Sequence, residues 1–142
     1  MTNVDREHVR EWLSHHRDAA VLEAAAAARF ATTLQSAPWL GTRLDWGSLR
    51  GLTTHLDSPD KYGALADSRI GQHLHVFLMF TPDEPGLVGR LEDVIESLDV
   101  LSWTAPGSRF LCGAVRTDGA FEIIPEDFAE YDGKGGLRLL PR

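Results

Sequence analysis

The sequence predicts an α+β domain, residues 1–142, with a long N-terminal helix packed on a mostly antiparallel sheet of about four to five strands and two further helices. Three observations carry that reading. The first is the apolar run Gln72 to Phe80. On a strand His73, His75, Phe77 and Met79 would face one way, and Leu74, Val76, Leu78 and Phe80 the other. Apolar residues at both parities mark a strand covered on both faces, hence a central one. The second is a helical stripe that runs from residue 4 to residue 36. The third is Asp118-Gly119 between two apolar runs, a strong hairpin signal because both residues tolerate positive φ.

Taken in order, Val9, Trp12, Leu13, Ala20, Ala24, Ala27, Phe30 and Leu34 recur at helical spacings over 4–36. Asn3 suits the start, and Pro38 places the stop near Ser36. The fallback is two helices broken between Ser14 and Asp18. Leu52 to Leu56 reads as a short strand. Ser58-Pro59 opens a helix that Gly71 closes. After the central strand, Thr81-Pro82-Asp83-Glu84 starts another helix, whose stripe is Leu87, Leu91, Val94, Ile95 and Leu98. Val100 to Trp103 reads as extended, and Pro106-Gly107 as a turn. Arg109 to Arg116 and Ala120 to Ile124 form the hairpin, with Pro125 ending it and a helical turn before Tyr131. Leu137 to Leu140 is a last edge strand.

Composition bounds the function. The net charge is −7, and residues 72–142 hold 12 acidic against 6 basic side chains. Such a surface repels nucleic acid and anionic membranes and suits a basic protein partner. A single cysteine, Cys112, forbids an intramolecular disulfide. Without an export signal or a membrane-length apolar run, the expected compartment is the cytoplasm.

Few residues promise chemistry. His73-x-His75 would share one face of a strand, and His55 could add a third ligand, which defines a metal-dependent or ligand-binding alternative. No carboxylate follows His75 at a secure spacing, so no metal or other cofactor is expected. Arg10 and His15 have the Arg-x4-His spacing of certain helical ribonucleases, whose bundles do not suit the strands that follow. Cys112, inside an apolar strand, reads as a buried and inert thiol. The sequence points first to a non-catalytic binding protein, of the inhibitor or immunity type, that neutralises a basic toxin or nuclease. Its expected interface is Asp83, Glu84, Glu92, Asp93, Glu96 and Asp99, with Trp39 and Trp46. Trp103 is a further tryptophan placed in a loop or edge segment.

Overall fold

The central element is a strand of five wholly buried residues, His75–Met79 (β5). A computed structural model describes residues 2–103 and 107–142. In chain order the elements are helix α1 (Glu7–His15), strand β1 (Ala20–Leu22), helix α2 (Ala24–Gln35), the two-residue strands β2 (Trp39–Leu40) and β3 (Arg43–Leu44), and β4 (Leu52–His55). Helix α3 (Lys61–Ala66) precedes β5, which is followed by β6 (Gly86–Arg90), α4 (Leu91–Glu96) and α5 (Leu98–Ser102). Strands β7 (Arg109–Thr117), β8 (Ala120–Tyr131) and β9 (Gly136–Leu139) complete the chain. Among the described residues seven strands form one antiparallel sheet in the order β1-β6-β5-β7-β8-β9-β4. β2 and β3 pair separately. The fold is therefore α+β, with a larger sheet than the four or five strands expected.

The two parities of β5 feed two different cores. Val76 and Leu78 pack with Val9 and Trp12 of α1, with α4 and α5, and with Leu111, Tyr131 and Leu137. Phe77 and Met79 pack with Ala27, Phe30 and Leu34 of α2, and with Cys112, Ile123 and Phe128. The sheet is thus the middle of three layers. Covering both faces is what makes every residue of β5 apolar or buried.

The single long N-terminal helix does not form; the chain follows the two-helix fallback. The stripe is continuous because both halves are amphipathic, but α1 and α2 cover opposite faces of the sheet. Strand β1, paired with β6 at the sheet edge, carries the chain across. The helix after Ser58 is shorter than its sequence signal, with Asp60 rather than Ser58 at its N-cap. The helix expected from residue 84 is replaced at its start by β6, where Pro85 and two glycines disfavour helix and Val88 finds Phe77 across the ladder. Leu87, Val94, Ile95 and Leu98 still point into one core, from a strand and two short helices rather than one long one. Val100 to Ser102, expected extended, belong to α5. The turn expected at Pro106-Gly107 begins at a residue outside those described.

The hairpin turns where expected, with φ of 52° at Asp118 and 82° at Gly119. Pro125 does not end β8. Cys112 pairs with Phe128 while Gly113 pairs with Ile124, so Pro125, Glu126 and Asp127 form a bulge between them. Proline is tolerated there because a bulge has no ladder bond for it to break. Across the bulge the facing parity changes: Ile123 and Phe128, an odd number apart, share the core under α2. β9 is not an edge strand, since it lies between β8 and β4.

Candidate interaction face and the histidine clamps

Among the expected interface residues, the acidic side chains divide into tethered and free. Glu84 accepts from the Asn3 backbone N–H at 2.7 Å and from its side-chain amide, so it anchors the N-terminus. Asp83 accepts the Thr81 hydroxyl at 2.6 Å. Glu96 takes the Tyr62 hydroxyl at 2.5 Å and the Lys61 ammonium at 3.0 Å. The Tyr62 hydrogen bond first, then Lys61, holds its carboxyl below the usual range. Asp99 accepts from the N–H of Val100 in the first turn of α5. Glu92 and Asp93 lie in the first turn of α4, where the helix dipole favours negative charge. The side chains of Glu92 and Asp93 make no hydrogen bond or ion pair to any other described residue, and Glu92 is exposed.

The tryptophans also divide. Trp46 is buried and donates its indole N–H to Glu130 at 2.7 Å, with its ring against Phe128 at 5.7 Å. It fills a core, where the sequence placed it in an exposed loop. Trp39 is partly exposed, its indole N–H donating to the carbonyl of Leu34. Trp103 is the most exposed, at 69%. It sits at the C-terminal end of α5 with its ring 5.6 Å from that of His8. Helical spacing puts Asp99, Val100 and Trp103 on one face, while Leu98 and Leu101 go into the core. All three are exposed.

The His-x-His pair is separated by the fold. β5 begins only at His75, after a 3₁₀ turn over Ile70–Gln72, so His73 is not part of the strand. His75 lies opposite Ala114, and its Nε2 meets Asp18 Oδ2 at 2.6 Å. Arg116 closes on the other oxygen of Asp18 and stacks on Phe121, whose ring also meets His75 edge-on at 5.0 Å. The His73 ring instead lies over Gly113, on the opposite face, and its Nε2 meets Asp127 Oδ2 at 2.7 Å. Arg69 holds the other oxygen of Asp127. The bulge in β8 delivers that aspartate.

Each clamp consists of an imidazole, a carboxylate and an arginine. The His75 hydrogen bond and charge, and then Arg116, keep the Asp18 carboxyl below its ordinary range against the opposing effect of burial. With Nε2 turned to a carboxylate and the residue 5% exposed, His75 ties the 16–19 loop to the sheet. It is not placed as a solvent-facing base. Sequence reasoning did not find Asp18, Arg69, Arg116, Phe121 or Asp127 as partners. Asp18 is 57 residues from His75 and Asp127 is 54 from His73, so no local spacing signals either contact.

The third member of the alternative metal set is elsewhere. His55 is on β4, at the far edge of the sheet, where its Nδ1 accepts from the N–H of Asp57. Among the described residues no group of three or more His, Cys, Asp or Glu side chains is arranged to hold a metal ion. Cys112 is buried, and burial pushes its thiol far above the usual range. No helix among the described residues is long and apolar enough to cross a membrane. Comparison with family models, with curated proteins and with solved structures finds no match to this chain.

Proposed function

We propose that the protein is an acidic binding protein of the inhibitor or immunity type, which neutralises a basic protein through the outer face of α4 and α5. One observation carries this reading: Trp103 and Val100 stand exposed, at 69% and 48%, on the same helical face as Asp99. A large exposed aromatic beside an aliphatic side chain is the composition of an interface anchor. Glu92 and Asp93, on the preceding helix, add charge that no described residue neutralises. Attraction of that charge for a basic partner speeds association, and the Trp103 contact slows dissociation. The interface so drawn keeps Glu92, Asp93 and Asp99 and assigns Glu84 and Glu96 to holding the fold.

The test is co-expression with the product of the adjacent gene. The wild-type chain is expected to relieve growth arrest by that product and to co-purify with it. Trp103→Ala is expected to lose the complex without changing thermal stability. Glu92→Lys/Asp99→Lys is expected to slow association at low salt and to approach wild type at high salt, because screening removes the long-range attraction. A neighbour that is neither toxic nor bound, or a complex indifferent to Trp103, overturns the reading.

A further inference from the structure

A crevice of about 720 Å³ lies on the other side of the molecule, between the N-terminal half of α2 and the tip of the β7–β8 hairpin. That volume is in the range of small-molecule sites. The alanine run of α2 makes the space, because Ala25 and Ala26 form one wall and longer side chains there would fill it. Phe121 and Ile123 form the facing wall, and Val21, 47% exposed, lines it from β1.

Three guanidinium groups, Arg17, Arg29 and Arg116, line the same crevice. Arg116 is fixed by Asp18 and by stacking on Phe121, with its guanidinium carbon 4.6 Å from the ring centre. Among the described residues Arg17 and Arg29 meet no carboxylate within ion-pair distance. In a chain of net charge −7, two unpaired arginines beside an apolar wall form a local exception. Glu23 and Glu122 also line the crevice and act against a multiply charged ligand. An apolar body with one negative charge fits these constraints; a polyphosphate does not.

We infer that this crevice binds a small amphipathic monoanion, a carboxylate with an aliphatic chain. The chain lies along Val21, Ala25 and Phe121, and the carboxylate meets Arg17 and Arg29. Bidentate guanidinium–carboxylate pairing supplies the selectivity for charge. This site is separate from the acidic face and stands or falls independently of it.

Calorimetry on the full chain with straight-chain carboxylates from butyrate to decanoate tests the assignment, with octanol and octylamine as neutral and cationic counterparts. Octanoate is expected to bind saturably and at least about tenfold more tightly than octanol, as for one charge-assisted contact. Octylamine is expected not to bind. Arg17→Ala/Arg29→Ala should weaken octanoate by about tenfold and leave octanol unchanged. Ala25→Met, a helix-compatible change on an exposed position, should weaken both by filling the wall. Thermal midpoints establish that each variant is folded, and amide shifts locate the ligand at Ala25, Ala26 and Phe121. No saturable binding across the series, equal binding of octanoate and octanol, or shifts confined to another surface would each overturn the assignment.

Discussion

Gly113→Ala is the sharpest test of the clamp built on His73. A Cβ at residue 113 would lie 2.4, 2.6 and 2.7 Å from three atoms of the His73 ring. The ring cannot swing aside freely, because its Nε2 is held by Asp127 at 2.7 Å and Asp127 is held in turn by Arg69. The substitution must therefore break the hydrogen bond or displace strand β7. Overpacking of this kind costs about 1–3 kcal/mol, and a lost hydrogen bond to a charged group about 1.5–3 kcal/mol. The displaced imidazole regains water, which offsets part of the second cost, so the expected loss is about 2–3 kcal/mol. Urea denaturation of Gly113→Ala, His73→Ala and the double variant gives the answer. With His73 truncated, alanine at 113 meets no ring, and its smaller unfolded-state entropy should make it neutral or stabilising by about 0.5 kcal/mol. The coupling between the two positions is then about 2–3 kcal/mol, with an unchanged denaturant slope. If Gly113→Ala costs the same in both backgrounds within about 0.5 kcal/mol, the ring is not what reserves this position for glycine.

Other consequences can be checked in the same preparations. Phe77 is fully buried against Phe30 and α2, so Phe77→Ala should cost about 3–5 kcal/mol; a loss under about 1 kcal/mol would remove Phe77 from the core. Because the folded state depresses the Asp18 carboxyl, the unfolded chain binds that proton first as pH falls. Its contribution is complete above the ordinary aspartate range and is lost as pH drops through the lower folded value. Asp18→Asn should thus flatten the acid side of the stability–pH curve, measured by denaturation at neutral and acid pH, and an unaltered slope would contradict the clamp. Burial, with Glu96 second for Tyr62, raises both tyrosines of the chain above the ordinary phenol range. Absorbance titration of the folded protein should show neither ionising at the ordinary phenol value; one normal midpoint would refute this.

The sequence made the centre of this fold legible and left its connections obscure, for physical reasons. β5 was readable because a strand covered on both faces is apolar at both parities, a pattern local to a few residues. The Asp118-Gly119 turn was readable because its dihedral angles are a property of the dipeptide. The N-terminal segment was not, because α1 and α2 are both amphipathic and periodicity does not say which face of a sheet each half covers. The sequence of β6 reads as helix because Leu87 continues the stripe of α4, while its strand pairing depends on β5 and β1. In the candidate sites the acidic residues were visible as charges. Whether a given carboxylate is free, like Glu92, or committed, like Glu84 and Glu96, depends on partners distant in sequence. Both histidine clamps were hidden for that same reason.

The bulge at Pro125–Asp127 changes how the length of β8 relates to its ladder. Excising the three residues would join Ile124 directly to Phe128, and the two would then alternate across an unbroken ladder with their present partners, Gly113 and Cys112. The sheet therefore has no topological need of this segment. What excision removes is the carboxylate that holds His73 and Arg69, and with it the tie between the 3₁₀ turn and the hairpin. Seen as an insertion, the bulge is the one described stretch of β8 where the chain can change length without inverting either half of the strand, and its present length serves to deliver Asp127.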